Sequence, residues 1–294
     1  MLNKNRIIII HNPNAGKLNR KKFKAVLDGL KNNHISSELI MTEYAGHGTE
    51  LAKQHCSRND IDMIVAAGGD GTINEVINGL YGSNMPLGII PMGTVNVLAK
   101  EIGLKNTKAH IVDTIVRGHS QKIYIAKINE RYFALMASVG LDAKSVQKVN
   151  LKLKKYLGEF AYFISFVKQL IISNATEYQV TIDDKNHQCF GAIISNGKYY
   201  AGKYICAPGS DLKDDKLYVV LMKNKGRLNL LRYYAAIITN RVGALDDMEL
   251  YPAKSISVSC AVAAPIQVDG DNFGNLPVKI SISDKPILLV SPIT

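Results

Sequence analysis

Ile61-Asp62-Met63-Ile64-Val65-Ala66-Ala67-Gly68-Gly69-Asp70-Gly71-Thr72-Ile73-Asn74-Glu75 reads as an apolar strand that gives way, through a glycine turn, to a helix. Glycines in such a turn let the main chain take left-handed angles and come close to a ligand, and the N–H groups that open the helix point at a bound anion. The turn is therefore a candidate phosphate site. Asp70 needs a separate reason, because a carboxylate beside phosphates repels them; it faces a divalent cation or the proton of an attacking hydroxyl. Thr72 and Glu75 have the spacing of a capping box, and Ile73, Val76, Ile77 and Leu80 recur on one helical face. Taken alone, Gly68-Gly69-Asp70-Gly71-Thr72 is also compatible with an ordinary glycine turn and a solvated aspartate. The rest of the chain decides.

The 294 residues exceed one typical domain of ~100–200 residues, which predicts two domains, and an apolar content of 47% suffices for a large core. A formal net charge of +11 favours a nucleic acid, an anionic membrane or a phosphorylated ligand as partner. The basic residues are scattered, with clusters only at Arg20-Lys21-Lys22 and Lys152-Leu153-Lys154-Lys155. Tryptophan is absent and no zinc-finger or RNA-recognition signature occurs, so nucleic acid is not an expected partner. Cys56, Cys189, Cys206 and Cys260 lie far apart without C-x-x-C spacing, which suggests neither a zinc site nor a local disulfide framework, and a reducing cytosol is the default. The opening residues run into only four isoleucines before His11, too few for a signal-peptide core or a membrane span. The expectation is a cytoplasmic protein, soluble or peripheral to a membrane.

From residue 6 to about 118 strands and helices alternate: strands over 7–10, 38–42, 62–67 and 87–90, and helices near 20–31, 47–56, 73–80 and from about 94. That βαβ rhythm predicts an α/β domain with a mainly parallel, doubly wound sheet and helices on both faces. Beyond Arg117-Gly118 the texture turns β-rich, with strands expected over 122–128, 178–182, 191–195, 217–222, 255–259 and 278–282, which implies an antiparallel, sandwich-like second domain. One aromatic-rich stretch, 153–172, is helical by length, but Glu159, Lys168 and Gln169 break it short of the ~20 residues that span a bilayer. It packs on the sheet, or lines an acyl-chain groove and meets anionic headgroups through Lys152, Lys154 and Lys155; both can hold at once.

Two further strand ends carry phosphate-type turns: Ile10 runs into His11-Asn12-Pro13-Asn14-Ala15-Gly16-Lys17, and Ile90 into Pro91-Met92-Gly93-Thr94-Val95-Asn96. In a doubly wound sheet all carboxyl ends of parallel strands open on one edge, where ligands bind, so three turns converge on one crevice. Each alone is an ordinary loop starter; together they are a strong signal.

These motifs, together with Thr42, Gly46-His47 and Glu50-Leu51-Ala52, resemble the catalytic domain of the diacylglycerol kinase and sphingosine kinase family, and specifically its small soluble bacterial lipid kinases. The likeness continues through Gly140-Leu141-Asp142-Ala143, Tyr156-Leu157-Gly158-Glu159, Asn196-Gly197, Ala207-Pro208, Asp214-Asp215 and Asp269-Gly270-Asp271, and covers nearly the whole chain. The central Gly-Gly-Asp-Gly is shared with the related NAD kinases; the order and number of the motifs is more specific.

The resemblance implies an ATP-dependent kinase with a three-layer nucleotide-binding domain over 1–120 and a lipid-binding β-sandwich over 121–285. A final strand in 286–294 returns to the first domain, and the lipid hydroxyl is presented in the cleft between the two. Carried over residue by residue, ATP contacts Asn12, Pro13, Asn14, Ala15, Gly16, Thr42, Gly68, Gly69, Asp70, Gly71, Thr72, Ile73, Asn74 and Thr94, with Asp70 organising magnesium and phosphates. A lipid alcohol is a weak nucleophile near neutral pH, and Asp271 is the candidate general base, with Asp269 its competitor. The family usually has Asp-Gly-Glu there, so Asp271 is one methylene shorter; its bland reading is a surface β-turn. Two further departures are Val97, where the family has Asp, and Lys216, where Asp-Asp-Gly becomes Asp214-Asp215-Lys216. In soluble relatives these regions surround a structural magnesium, matched here by Asp215 and the main chain of Leu212 and Leu217. Losing an acidic contributor weakens such a hard-cation site.

ATP and Mg2+ are thus the implied cofactors, and a lipid substrate and the inner membrane surface the implied partners; a homodimer stays open. Diacylglycerol is the default acceptor, with a sphingoid lipid or NAD as alternatives. A nucleotide- or lipid-binding regulator that has lost catalysis is the reading of a different class.

Overall fold

The computed structural model describes residues 5–15, 19–148, 165, 168–171 and 175–293. Most of the helix expected over 153–172 lies outside them, as does Gly16 of the first turn. The described chain divides into two compact units, Met1–Ile125 with Asp284–Thr294, and Ala126–Ser283.

In the first unit, β1 (Arg6–His11) carries four consecutive isoleucines, all buried, and β3 (Met63–Gly68) is buried throughout. Continuous apolar runs of this kind belong to strands covered on both faces of a parallel sheet, where each buried isoleucine contributes ~1.5–3 kcal/mol relative to exposure. β2 (Ser36–Met41) and β4 (Leu87–Pro91) flank them, and the sheet order is β2-β1-β3-β4-β20-β5, with β5 at Ser120–Ile123 and β20 at Ile287–Val290. β1 to β4 pair in parallel; β20 is parallel to β4 and antiparallel to β5.

The crossover from β1 to β2 runs one way across the sheet and those from β2 to β3 and β3 to β4 run the other. Right-handed connections therefore put α1 (Arg20–Asn32) on one face and α2 (His47–His55) and α3 (Asp70–Leu80) on the opposite one. α5 (Lys108–Arg117) packs on α1, where a Cβ on Gly29 would meet the Val112 side chain at 2.8 Å. α2 and α3 approach so closely that a Cβ on Gly79 would lie 2.5 Å from the Ala52 Cβ. The short α4 (Val97–Glu101) follows β4.

The second unit is a sandwich of two six-stranded antiparallel sheets, with a two-stranded antiparallel ribbon of β12 (Tyr199–Tyr200) and β13 (Tyr204–Ile205). One is ordered β10-β9-β16-β19-β6-β7, from β6 (Ala126–Ile128), β7 (Arg131–Phe133), β9 (Tyr178–Ile182), β10 (Lys185–Cys189), β16 (Ser255–Ser259) and β19 (Val278–Ile282). The other is β15-β14-β11-β8-β17-β18, from β8 (Met136–Val139), β11 (Gly191–Ser195), β14 (Leu217–Met222), β15 (Met248–Ala253), β17 (Pro265–Val268) and β18 (Asp271–Asn275). Phe133, Tyr178, Val180, Ile256 and Ile280 of the first sheet fill the interior with Val139, Ile194, Val219, Leu221 and Ile266 of the second.

The second sheet is buried on its outer face as well, where α6 (Leu141–Gln147) and α7 (Arg227–Ile238) help cover it, Tyr233 and Ile237 of α7 packing with Ile193, Val220 and Met222. This explains why β11 and β14 are apolar at nearly every position instead of alternating. Among the described residues no helix is long and apolar enough to cross a membrane.

Two local expectations change. The strand expected over 122–128 is two strands in two sheets, β5 ending at Ile123 and β6 starting at Ala126. Thr72 and Glu75 form no capping box, since α3 starts at Asp70 after Gly69 with no side-chain cap; both side chains bond elsewhere.

Candidate active site

Parallel register aligns the carboxyl ends of the strands, with His11 opposite Met41 and Ala67, and Gly68 opposite Pro91. The ladder continues one bond past each strand: Thr42 N–H donates to His11 O at 2.9 Å, Asn12 N–H to Ala67 O at 3.1 Å, and Met92 N–H to Gly68 O at 2.8 Å. The residues after β1, β2, β3 and β4 consequently emerge side by side on one edge.

Asn12 closes its own turn, its Oδ1 accepting from Asn14 N–H at 2.9 Å and its carbonyl from Ala15 N–H at 3.1 Å. Its Nδ2 donates to Thr72 Oγ1 at 3.1 Å, tying the β1 turn to the first turn of α3. Gly68 is required here, because a Cβ would sit 2.4 Å from the Thr72 Cβ. Gly69 and Gly93 are in main-chain contact: a Cβ on Gly93 would lie 2.8 Å from the Gly69 Cα. The β3 and β4 turns thus touch at two glycines, and the opening N–H groups of α3 lack intrahelical acceptors there.

Asp70 is no solvated aspartate. Its Oδ1 accepts from Leu98 N–H at 3.3 Å, at the start of α4. Burial raises its carboxyl above the usual value, opposed by the N–H groups of Val97, Leu98 and Asn96 and by the Lys100 charge. Val97 contributes through its amide, so the missing family aspartate does not undo this contact. Asn96 takes a left-handed conformation (φ 51°) and donates from Nδ2 to Gly93 O at 2.8 Å.

The Oδ1 atoms of Asn74 and Asn96, in side chains 2% and 5% exposed, have no hydrogen-bond partner among the described residues. Asp70 and Asn74 are one helical turn apart, so oxygen donors cluster near the phosphate turns. Mg2+ is commonly held by one or two carboxylates together with substrate phosphates and water, and this donor set fits it.

Of the remaining nucleotide candidates, Thr42 is buried beside the β1 end, whereas Thr94 is exposed. Ile73 faces the core and its N–H already bonds Gly69 O at 3.1 Å, leaving it no polar group to offer. Pro13, Asn14 and Ala15 lie in the Asn12 turn. Gly71 is exposed at the start of α3.

Four residues that were not among the expected site residues join the edge. Glu75 accepts from Gly46 N–H at 2.8 Å and Gly48 N–H at 3.0 Å, capping α2 from the neighbouring helix. Lys22 donates to Pro91 O at 3.1 Å, and burial lowers its pKa; Asn19 Nδ2 donates to Met92 O at 3.1 Å. His11 stacks on Phe23, and because Ala67 O can only accept, its Nδ1 carries the proton in the 3.1 Å bond between them.

In the second unit, Asp269 and Gly270 both have positive φ (48° and 83°) and join β17 to β18 as a two-residue Asp-Gly hairpin. The two carboxylates divide sharply. Asp269 accepts from Ala134, Leu135 and Met136 N–H at 3.0, 3.1 and 2.9 Å, which makes it a structural acceptor. Asp271, first in β18, is exposed.

Gln267 braces the hairpin: its Oε1 accepts from Gly270 N–H at 2.8 Å, and its Nε2 donates to Ser138 Oγ at 2.8 Å and Asp142 Oδ2 at 3.2 Å. Asp142 also accepts from Ser138 and from Tyr200 at 2.9 Å, and burial pushes its carboxyl up.

At the residues expected to hold a structural magnesium, ammonium groups stand beside the carboxylates. Asp215 is exposed and paired with the Lys254 ammonium at 2.5 Å, which holds its carboxyl below the usual range, and Asp214 faces Lys216 at 3.6 Å. Leu212 and Leu217 are buried. No group of three or more His, Cys, Asp or Glu that could hold a metal occurs among the described residues.

Residues 6–128 match the family model of the diacylglycerol kinase catalytic domain, and 136–290 that of the YegS C-terminal NAD kinase beta sandwich-like domain. A diacylglycerol kinase of Staphylococcus saprophyticus is 34% identical over 275 residues, covering 92% of this chain and 90% of that one. One of Staphylococcus carnosus is 30% identical over 277 residues, covering 92% and 89%. The crystal structure of a putative diacylglycerol kinase from Bacillus anthracis superposes with a TM-score of 0.82 at 22% identity, over 98% of this chain and 95% of that one, and shares its fold. The chain belongs to the diacylglycerol kinase family.

Proposed function

We propose that the chain transfers the γ-phosphate of ATP to a lipid hydroxyl, with diacylglycerol as the default acceptor. The observation that carries this reading is the joining of the phosphate turns at one sheet edge through the Asn12–Thr72 bond and the Gly69–Gly93 contact. A cradle of main-chain N–H groups at a helix start is suited to a polyphosphate, and in phosphoryl transfer positioning and charge stabilisation supply most of the acceleration.

The β1 turn and the start of α3 hold the phosphate tail, with the Lys22 ammonium adding positive charge at the edge. Asp70, Asn74 and Asn96 offer the oxygen donors for Mg2+, which when bound neutralises charge on the phosphates. Asp271 takes the proton of the acceptor hydroxyl; a placed base of this kind commonly contributes ~10²–10⁴-fold. Asp269 holds the hairpin and Gln267 fixes its Gly270 N–H. The first unit is the nucleotide domain, the second the lipid domain, and the protein works in the cytoplasm at the inner membrane surface.

The test is labelled ATP with mixed lipid vesicles. Label moving into the organic phase on diacylglycerol supports the proposal. Transfer to NAD in place of lipid, or nucleotide binding without turnover on any lipid, overturns it.

A further inference from the structure

We infer that the outer face of α7 docks the protein on an anionic lipid bilayer by inserting an apolar stripe flanked by cations. This rests on the lipid-kinase reading, which requires access to a substrate held in a membrane.

α7 is apolar on two opposite faces. Tyr233, Tyr234, Ala236 and Ile237 are buried on the sheet. Leu228, Leu231 and Ile238 are 83%, 51% and 52% exposed, and with the exposed Ala235 they fall within an arc of about 80° at the helical repeat of 100° per residue. Scattered exposed apolar side chains are ordinary on a soluble protein, but a line of them along a helix of about 18 Å marks an interaction surface.

Its charge selects the partner. Lys225 and Arg227 stand at one end and Arg241 beyond the other, all exposed and without an ion pair among the described residues. Arg232 is engaged by Asp247. No Asp or Glu occurs between residues 224 and 245. An apolar strip with cations at its margins suits the boundary between acyl chains and anionic headgroups. A symmetric pairing of two copies through the same stripe brings like cations toward one another across the two-fold axis, which disfavours a dimer there.

The chain has no tryptophan, so Leu228→Trp introduces a single indole reporter. Vesicles containing phosphatidylglycerol are expected to shift its emission to the blue and shield it from an aqueous quencher, with little response to pure phosphatidylcholine. Leu228→Ser with Leu231→Ser is expected to weaken vesicle co-sedimentation at least tenfold at unchanged Tm. Lys225→Gln and Arg227→Gln should each weaken it about fivefold and reduce its salt dependence. Turnover of a water-soluble short-chain diacylglycerol by the double serine variant should match wild type.

Emission unchanged on vesicles that nonetheless sediment the protein overturns the inference, as does sedimentation equilibrium showing a dimer that the serine variants dissolve. Insertion of the indole without phosphate transfer to any lipid leaves the docking face standing and sinks the kinase reading, so the two failures are distinguishable.

Discussion

Asn12 Nδ2 donates to Thr72 Oγ1 across 3.1 Å, joining two turns that lie sixty residues apart in the chain. The bond orders the β1 turn against the first turn of α3. Asn12→Ala is therefore expected to raise KM for ATP about tenfold while kcat on diacylglycerol changes less, with a stability loss of about 1 kcal/mol for the lost hydrogen bond. Steady-state kinetics and a Tm measurement check it; a drop in kcat at unchanged KM would separate this contact from nucleotide binding.

Gly93→Ala tests the contact between the β3 and β4 turns. The added methyl would lie 2.8 Å from the Gly69 Cα and 2.9 Å from Asn96 Oδ1, so the two turns must separate. The position is at a loop and the strands below it are unaffected. The expected outcome is loss of the calorimetric signal for ATP with a Tm within a few degrees of wild type.

Asp70 combines an active role with a cost in stability. Burial raises its folded-state pKa above the unfolded value, so its favourable contribution is fully present below the usual carboxylate pKa and is lost as pH rises through the folded pKa. Above that folded pKa the site carries a desolvated charge. Asp70→Asn keeps an oxygen that can accept from Leu98 N–H and removes that charge, so it should raise Tm at pH 7, by less at pH 4, and abolish phosphate transfer. A Tm that falls equally at both pH values would refute the pH linkage.

What could be read from the chain follows from where the information lies. β9, β11, β14, β16, β19 and β20 show their bounds as short β-branched runs between turn residues, and the phosphate turns announce themselves through glycine and asparagine at strand ends. The break between β5 and β6 is silent, because Ile123, Tyr124, Ile125 and Ala126 read as one strand and only pairing distinguishes two sheets. Glu75 looked local because its spacing from Thr72 mimics a capping box, yet its partners are Gly46 and Gly48 on another helix. α7 gave no one-sided period because both of its faces are apolar. Asp271 is set above Asp269 by the family pattern alone; the hairpin turns the Asp269 carboxylate onto three amides and leaves Asp271 exposed.

That division predicts opposite phenotypes two residues apart. Asp271→Asn should lower kcat by about 10²-fold or more with ATP affinity kept and Tm unchanged. Asp269→Ala should unfold the protein more readily, by about 1–3 kcal/mol, since three main-chain donors lose their acceptor. Gln267→Leu is expected to lower kcat without raising KM for ATP, as a loosened Gly270 leaves Asp271 poorly placed. Gln267→Glu, which keeps an oxygen for Gly270 N–H, should recover part of the rate. Equal loss of kcat and stability for Asp271→Asn would make that residue structural.

Removing divalent cations separates the two metal sites the family pattern suggests. Asp215 is paired with the Lys254 ammonium, which already compensates its charge, and Asp214 faces Lys216. Chelation should therefore leave Tm unchanged in the absence of nucleotide, and Asp215→Ala should shift it little, because an exposed ion pair contributes only ~0–1 kcal/mol. Chelation should still abolish phosphate transfer and weaken ATP binding through the oxygen set of Asp70, Asn74 and Asn96. Scanning calorimetry with and without chelator, beside the same comparison for ATP affinity, checks both halves. A fall of many degrees in Tm on chelation of the nucleotide-free protein would show that a structural cation is bound after all, with Lys254 displaced from Asp215 to admit it.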